Sequence, residues 1–380
     1  MDREALRASH ANDVLAGAPA GVGRRDFLKV CSIAAAAIGL PAEAAEKMAA
    51  RAAMPRKPSV IWLQFQECTG CTETLLRTSN PGAADLILDL ISLDYSETLM
   101  AAAGHQAEAV LAAAVKENAG KFVLVVEGAI PVKDGGIHCK IGGRTALDIV
   151  KEVASQAGAI VAIGSCASWG GIPSADPNPT GASGVPEIVK GKPVVTIPGC
   201  PANPYNLLGV VLQYATFGTL PELDAKGRPR FAYGRVIHDD CPRRAHFDAG
   251  RFAQRYGDEG SRQGWCLYKM GCKGPRTHAN CSLLHFGEVV GAWPIGIGAQ
   301  CFGCTEKDIA FRVPLFQTVE PEQLGPPGMY PSAQAKHGEV SPVATGVAGV
   351  AIGAAVGAGI AMTRNLGRQP PAGDGGGEEK

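Results

Sequence analysis

The sequence predicts an α/β fold built on a doubly wound parallel sheet. Four short apolar segments dominated by Val and Ile predict buried strands, and segments with helical periodicity separate them. Strands that alternate with helices are typical of parallel sheets covered on both faces, here of flavodoxin-like type. The 380 residues, 46% of them hydrophobic, are enough for a large core and about two domains.

The predicted elements follow one another along the chain. The strands are expected at residues 59–65, 122–126, 160–163 and 194–197, and the helices at 107–118, 145–156 and 203–214. Gly120 and Gly158 end the first two helices, and Pro204 begins the third. We therefore expect a flavodoxin-like domain over residues 58–220.

Composition limits the classes of partner. Lys plus Arg (36) equal Asp plus Glu (36), so no net field draws the chain to nucleic acid or to an acidic membrane surface. Glycine (49) and proline (27) are abundant, which indicates long irregular segments. Such segments must be stabilised by interactions other than packing in a large core. The 12 cysteines are the obvious candidates for holding these segments together, either by binding metal or by forming disulfides.

The first 45 residues resemble an export signal. Arg24 and Arg25 precede Asp-Phe-Leu-Lys and an uncharged, alanine-rich segment, followed by small residues suited to signal peptidase. The pattern predicts a twin-arginine signal peptide over 1–45; the alternative is a chance arginine pair on a helix. Because the twin-arginine route carries folded proteins, often with cofactors already inserted, metal is favoured over disulfides for the remaining cysteines.

The C-terminal region contains a candidate membrane anchor. Residues 343–362 carry no charge and are long enough, at about 1.5 Å per residue, to cross a hydrocarbon core of about 30 Å. Glycines at four-residue spacing suit contact with another membrane helix. Arginines at 364 and 368 place the C-terminus in the cytoplasm and the bulk of the chain outside. A glycine-rich surface or buried helix is the alternative. Residues 326–342 would be a linker and 363–380 a disordered tail.

Cysteines follow three of the predicted strands. Cys68 and Cys71 come after the first strand, Cys166 after the third and Cys200 after the fourth. Because functional groups gather at the carboxyl ends of parallel strands, four thiols should converge on one site. Four cysteines suit a 4Fe-4S cluster or a structural zinc ion. A redox CxxC pair would leave the other two thiols unexplained.

The second half has little periodicity and most of the other metal-ligand candidates. One set contains an imidazole and three thiols: His238, Cys241, Cys266 and Cys272. The other contains three thiols: Cys281, Cys301 and Cys304. Three thiols suit a 3Fe-4S cluster, or a 4Fe-4S cluster with a further non-cysteine ligand. We expect an irregular cluster-binding domain over 221–325. Cys31 belongs to the signal, and Cys139 is left as a free core thiol.

Several motifs together carry a family resemblance. Besides the leader and the anchor, they are Glu67-Cys68-Thr69-Gly70-Cys71-Thr72-Glu73, Gly164-Ser165-Cys166, Pro198-Gly199-Cys200-Pro201, His238-x-x-Cys241, Gly264-Trp265-Cys266, Gly271-Cys272-Lys273-Gly274-Pro275, Trp293-Pro294 and Cys301-x-Gly303-Cys304. The chain resembles the small subunit of membrane-bound nickel-iron hydrogenases over nearly its whole length. It is most similar to the periplasmic uptake type that feeds electrons to menaquinone.

The resemblance implies three ligand groups. The proximal group, which would hold a 4Fe-4S cluster, is Cys68, Cys71, Cys166 and Cys200. The medial group, which would hold a 3Fe-4S cluster with Pro294 in place of a fourth cysteine, is Cys281, Cys301 and Cys304. The distal group, which would hold a second 4Fe-4S cluster, is His238, Cys241, Cys266 and Cys272. Glu67 is a candidate for the proton path, or else a structural carboxylate.

The resemblance also implies partner subunits and a cellular location. The nickel-iron site would belong to a separate large subunit, and electrons would leave to a membrane-integral quinone-reducing or cytochrome b-type subunit, with a ferredoxin-like subunit between. The protein would lie on the periplasmic side of the cytoplasmic membrane. Oxygen-tolerant members carry extra cysteines where this chain has Gly70 and Gly171, so an oxygen-sensitive enzyme is expected.

Two other classes of function compete with this interpretation. One is a membrane-tethered electron carrier without a hydrogenase partner, against which the second-half ligand sets argue. The other is an exported binding protein stabilised by zinc or disulfides, against which the twin-arginine signal argues. Arg243 and Arg244, close to the distal group, would be either a solvated surface pair or a contact with a partner.

Overall fold

The computed structural model describes residues 57–79, 81–286, 289–322 and 325–331, together with Ser32 and Lys47. The predicted signal peptide lies outside these residues except for Ser32, and the predicted anchor at 343–362 and tail at 363–380 lie wholly outside them. Among the described residues, no helix combines the length and the apolar character needed to span a membrane.

A five-stranded parallel sheet forms the centre of the first half. Its strands are β1 (Ser59–Gln64), β2 (Ser92–Ser96), β3 (Val123–Glu127), β7 (Ala159–Ile163) and β9 (Val194–Ile197), in the spatial order β2-β1-β3-β7-β9. Numbered among themselves, these strands lie in the order 2-1-3-4-5, which is the flavodoxin-like arrangement. The predicted sheet type is therefore confirmed. Four further short strands pair outside this sheet: β4 (Ile130–Pro131) with β8 (Ala182–Ser183), and β5 (Lys140–Ile141) with β6 (Arg144–Thr145).

Both faces of the sheet are buried, which explains the continuous apolar strands. In β1, Val60 and Trp62 belong to the hydrophobic cluster on one face, while Ile61 and Leu63 belong to the cluster on the other. Successive side chains point to opposite faces, so a strand covered on both sides needs apolar residues at every position. This continuous apolar pattern is the reason that four of the five strands could be predicted from the sequence.

β2 was not predicted. Its sequence is Ser-Leu-Asp-Tyr-Ser, and its first three residues are only half-buried. It is an edge strand, paired on one side with β1. An edge strand is less enclosed than a central one, so it needs no run of Val and Ile.

The helices surround the sheet and its loops. They are α1 (Gly70–Leu76), α2 (Ala83–Asp85), α3 (His105–Glu117), α4 (Ala146–Gln156), α5 (Gly164–Trp169), α6 (Val185–Ile188), α7 (Pro204–Phe217), α8 (Arg230–Tyr233), α9 (Arg244–Asp248) and α10 (Glu259–Arg262). The three helices predicted from the sequence are α3, α4 and α7. At the N-terminus of α7, the Asn203 side chain accepts a hydrogen bond from the Tyr205 amide (3.1 Å), and Gly218 ends the helix with a φ of 68°.

The second half is irregular, as expected, and packs against the sheet. Beyond α7, the elements in the part that the structure describes are short helices and turns. The hydrophobic cluster that covers the Val60 face of the sheet also contains Cys241, Cys272 and Trp293. The candidate ligands of the second half are thus part of the core that covers the sheet.

Candidate metal centre

The proximal group lies along the carboxyl edge of the sheet. Cys68 is in the loop after β1 and Cys71 is in the first turn of α1, while Cys166 is in α5, directly after β7. Cys200 follows β9. The parallel pairing of β1, β3, β7 and β9 brings these strand ends to one edge, as the sequence predicted.

Glycines make room for the thiols of this group. A Cβ at Gly164 would lie 2.7 Å from the Cys71 sulfur, and a Cβ at Gly171 would lie 2.7 Å from the Cys166 sulfur. Both glycines have positive φ angles, of 79° and 50°. Only glycine combines this backbone conformation with so close an approach to sulfur.

Three of the four proximal thiols are buried or half-buried, whereas Cys68 is exposed. Burial, then Glu127, then Cys166 and Cys200 raise the pKa of Cys71 well above its ordinary value. Burial, followed by Cys200, raises the pKa of Cys166 to about 12. The pKa of Cys200 is raised by burial and by Cys68. The four thiols therefore lie within electrostatic reach of one another.

A buried carboxylate, Glu127, lies behind this group at the end of β3. One of its oxygens accepts a hydrogen bond from the backbone amide of Cys71 (2.9 Å). The other accepts from the Thr72 hydroxyl (2.6 Å) and the Trp62 indole (3.1 Å). Sequence reasoning missed Glu127; the available signal was a carboxylate that ends an otherwise apolar strand at the edge where the cysteines gather.

Glu67 is half-buried beside the first proximal ligand. Its Oε1 accepts a hydrogen bond from the Thr69 hydroxyl (3.2 Å), whereas its Oε2 is buried and has no hydrogen-bond partner within the described residues. Burial, and then the charge of Glu127, raise the pKa of Glu67. A carboxyl with a free buried oxygen and a raised pKa is suited to accept and release a proton.

The medial group lines one cavity. The cavity has a volume of about 550 Å³, and its walls include all three medial cysteines, Pro294 and Cys200 of the proximal group. Burial raises the pKa of each of the three thiols, that of Cys281 to about 12. Pro294 thus borders the same space as the three thiols, where the family resemblance expects a missing fourth ligand.

A buried ion pair between Arg228 and Glu306 stabilises the loop that carries Cys304. Arg228 donates from Nη1 to the Glu306 carboxylate (2.7 Å) and to the Thr305 carbonyl (3.1 Å). His278 donates its backbone amide to the same carboxylate (3.0 Å). Although burial opposes ionisation of Glu306, the hydrogen bond with the His278 side chain, the charge of Arg228 and the hydrogen bonds from Lys226 and Arg228 lower its pKa to about 2. Through His278, Glu306 ties the loop of one medial cysteine to the segment that leads to Cys281, and Arg228 pairs with the same carboxylate.

The distal group also lines a single small cavity. His238, Cys241, Cys266 and Cys272 all contribute to its walls. The imidazole Nε2 of His238 is buried and lacks a hydrogen-bond partner among the described residues. Burial, then the charge of Arg244, lower the pKa of His238 to about 4, so the ring is neutral at pH 7. A neutral imidazole with a free nitrogen is the form that binds metal.

Arg243 and Arg244 are buried, so neither is part of a solvated surface. Arg243 is 7% exposed and donates from Nη1 to the Trp265 carbonyl (2.9 Å). Arg244 is 1% exposed and donates to the Asp248 carboxylate (3.1 Å). Both guanidinium groups therefore act inside the fold around the distal group, so both expected alternatives, a solvated surface pair and a contact with a partner, are wrong.

The donor set fits iron–sulfur clusters. Eleven cysteines lie in the described residues and all are free; ten of them belong to the three groups and only Cys139 does not. In that part of the chain, no three His, Cys, Asp or Glu side chains are close enough to share one metal ion, whereas a cluster spreads its ligands over several iron atoms. Buried thiols ionise only when nearby positive charge stabilises the thiolate, which the irons of a cluster would supply.

The three groups are linked to one another through the fold. Ser165, next to Cys166, accepts a hydrogen bond from the Gly199 amide (3.1 Å) and donates to the Cys304 carbonyl. This joins the proximal loops to the medial loop. The Lys273 amide, next to Cys272, donates to the Cys301 carbonyl (2.7 Å), which joins the distal loop to the medial one.

Comparisons with known proteins agree with this arrangement. Residues 233–317 match the family described as the C-terminal part of the NiFe/NiFeSe hydrogenase small subunit, and residues 68–214 match the one described as NADH ubiquinone oxidoreductase, 20 Kd subunit. The Hydrogenase-2 small chain of Escherichia coli (strain K12) is 49% identical over 350 residues, which cover 92% of this chain and 94% of that protein. The quinone-reactive Ni/Fe-hydrogenase small chain of Wolinella succinogenes is 48% identical over 290 residues, covering 76% and 81%.

Solved structures give the same result. The reduced, active Ni-Fe-Se hydrogenase of Desulfomicrobium baculatum matches with a TM-score of 0.65 and 33% identity, covering 70% of this chain and 100% of that one. The actinobacterial-type NiFe-hydrogenase of Ralstonia eutropha H16 matches with a TM-score of 0.62 and 25% identity, covering 83% and 92%. The chain belongs to the small-subunit family of nickel-iron hydrogenases, enzymes whose nickel-iron site lies in the large subunit.

Proposed function

We propose that this chain relays electrons from hydrogen oxidation in a large subunit, through three iron–sulfur clusters, to a quinone-reducing partner in the membrane. The clusters would be two of the 4Fe-4S type, in the proximal and distal groups, and one of the 3Fe-4S type, in the medial group. When bound, they would accept and release single electrons.

The observation that carries this proposal is the continuity of the ligand groups through the interior. Cys200 of the proximal group borders the same cavity as the three medial cysteines. The medial Cys301 carbonyl in turn accepts the amide of Lys273, the neighbour of the distal Cys272. Electron transfer needs short steps between redox centres, and this succession brings each group next to the following one.

The chain's own residues have defined tasks in this proposal. The proximal, medial and distal ligands would hold the clusters, and burial of the thiols other than the exposed Cys68 would keep water away from the sulfur. Glu67 would take up a proton at its unpaired Oε2 at the boundary with the large subunit. The Arg228–Glu306 pair would hold the Cys304 loop in place. Because Gly70 and Gly171 stand where oxygen-tolerant members have cysteines, an ordinary, oxygen-sensitive proximal site is proposed.

The same proposal extends to location and partners. The twin-arginine pattern at 24–29 supports export of the folded chain, and the uncharged segment 343–362 supports anchoring on the periplasmic side of the cytoplasmic membrane. The relative from Wolinella succinogenes is named quinone-reactive, and one from Nitratidesulfovibrio vulgaris is named periplasmic. The name quinone-reactive favours a quinone-reducing membrane subunit as the electron acceptor, and the family resemblance adds that this subunit is of cytochrome b type or another integral type, with a ferredoxin-like subunit between.

Two ligand variants in the assembled complex test the assignments. Cys200→Ser should disrupt the proximal group and, because cluster binding is coupled to folding, reduce the amount of large subunit that copurifies. Cys272→Ser should leave assembly intact and block electron exit. We expect each variant to lower hydrogen-dependent dye reduction at least about tenfold, the lower end of what losing even an outer-shell partner costs a metal site.

Cys139→Ser is the matched control, because Cys139 is the described cysteine outside the three groups. It should retain the iron content and the dye reduction of the unaltered complex. Wild-type rates in both ligand variants would show that the ligand assignment is wrong.

A further inference from the structure

Lys273 is a lysine with no solvent exposure, located between two ligand groups. Its side chain is 0% exposed. The Nζ atom lies within hydrogen-bond distance of four backbone carbonyl oxygens: Gly271 (2.8 Å), Pro314 (3.1 Å), Leu315 (2.9 Å) and Gln317 (2.9 Å). Lys273 thereby holds residues 314–317 against the loop that contains Cys272.

This cage of oxygens suits the ammonium form of the side chain. Every contact of Nζ is with an acceptor, and an ammonium group has three donors and no acceptor, whereas a neutral amine would direct a lone pair at a carbonyl oxygen. No carboxylate forms an ion pair with Lys273 within the described residues. Its positive charge is therefore not cancelled by an ion pair with an acidic side chain of the described residues.

Its position places this charge between the medial and the distal group. Lys273 directly follows Cys272 of the distal group, and its backbone amide donates to the carbonyl of Cys301 of the medial group (2.7 Å). A Cβ at Gly303 would lie 3.4 Å from the Lys273 Cβ, so the 301–304 loop packs directly on this residue.

We propose that Lys273 is a shared internal cation that raises the reduction potentials of both the medial and the distal site. The inference rests on the proposed ligand groups. Reduction adds negative charge to a cluster, and a fixed positive charge in a medium of low dielectric constant stabilises that reduced form. Because one charge acts on both sites, it shifts their reduction potentials in the same direction and keeps them close together. The reduction potential of the proximal site shifts less.

Two substitutions separate the charge of Lys273 from its packing. Lys273→Gln removes the charge and keeps N–H donors for the carbonyl cage, whereas Lys273→Arg keeps the charge in a side chain of different shape. Lys269→Gln is the matched control, since Lys269 is an exposed lysine in the same region, with its Nζ 5.9 Å from the centre of the Phe252 ring. Solvent screens the charge of such a side chain.

The measurement is a redox titration of the holo-complex followed by electron paramagnetic resonance, with iron content as a check on cluster loading. We expect Lys273→Gln to shift the medial and distal midpoint potentials to more negative values, with the proximal one almost unchanged. Lys273→Arg should stay closer to the unaltered complex, and Lys269→Gln should match it.

Several results would overturn this inference. Unchanged medial and distal potentials in Lys273→Gln, or equal shifts in the Gln and Arg variants, would show that the charge does not set them. Loss of the clusters in both variants would show that the sites need the shape of the lysine and not its charge. Absence of medial and distal signals from the unaltered complex would instead remove the proposed function, and this inference with it.

Discussion

At the scale of single residues, buried charges beside the thiols are the features that most directly affect electron transfer. Glu127 places a negative charge behind the proximal group, with its Oε1 2.9 Å from the Cys71 amide nitrogen. Lys273 places a positive charge between the medial and distal groups. A negative charge lowers a reduction potential and a positive charge raises it. In the proposed relay, the two charges together would favour movement of electrons from the proximal group towards the distal group.

Glu127→Gln tests the first half of this argument. Removing the negative charge should raise the proximal midpoint potential by roughly 50–100 mV, which corresponds to about 1–2 kcal/mol for charges several ångströms apart at an effective dielectric constant of about 20. The medial and distal potentials should change much less. Redox titration of the holo-complex measures all three.

Glu152→Gln is the control for this change. The Glu152 side chain is 57% exposed and pairs with Arg144, so solvent screens its charge. Glu152→Gln should therefore leave the midpoint potentials of all three sites unchanged. A proximal potential that does not respond to Glu127→Gln would contradict the electrostatic role of this carboxylate.

The sequence indicated the ligands better than the charges around them. Strand ends predicted that Cys68, Cys71, Cys166 and Cys200 gather at one edge of the sheet, because parallel strands must bring their carboxyl ends to one edge; their assignment as cluster ligands stays a prediction. Glu127, Lys273 and Arg244 carry no such pattern. A charged residue in a sequence is most often a solvated one, and only the fold shows that these three are enclosed.

At the scale of elements, the turns after the strands determine how closely backbone and sulfur approach. Gly164 begins α5 directly after β7 with a φ of 79°, and a Cβ there would lie 2.7 Å from the Cys71 sulfur. The turn thereby brings α5, with Cys166, against α1, with Cys71. A side chain at this position would separate the two helices and the thiols that they carry.

Gly164→Ala should therefore impair the proximal site. The left-handed backbone costs an alanine about 1–2 kcal/mol, and the added methyl group also displaces the Cys71 sulfur. We expect less iron per complex and a weakened proximal signal, measured by iron analysis and electron paramagnetic resonance.

Gly218→Ala separates backbone strain from contact with sulfur. Gly218 has a similar φ of 68°, but a Cβ there would meet no atom within 4 Å. Its substitution should cost about 1 kcal/mol of stability and leave the iron content unchanged. Equal iron loss in the two variants would show that strain alone explains the effect of Gly164→Ala.

The central elements could be predicted and the peripheral ones could not, for a physical reason. Strands buried on both faces require apolar residues throughout, which made β1, β3, β7 and β9 visible. β2 is half-buried at the sheet edge and lacks that pattern. The short helices and turns of the second half depend on contacts with distant residues, and hence on the fold as a whole.

At the scale of the whole molecule, the ligand groups form a succession from the sheet edge into the irregular half. The predicted family is confirmed over 92% of the chain by the Escherichia coli relative. The domain boundaries, the signal peptide and the anchor remain predictions, and the last two lie outside the described residues apart from Ser32. Alone, this chain would conduct electrons, while hydrogen cleavage requires the large subunit.

The central claim is that the three ligand groups hold clusters connected to a hydrogen-splitting site. The most direct test is an electron paramagnetic resonance spectrum of the detergent-extracted complex purified through this chain, recorded as isolated and again under hydrogen. We predict an oxidised 3Fe-4S signal that disappears when hydrogen is added. A signal that only a chemical reductant removes, or no iron–sulfur signal in either oxidation state, would contradict the claim.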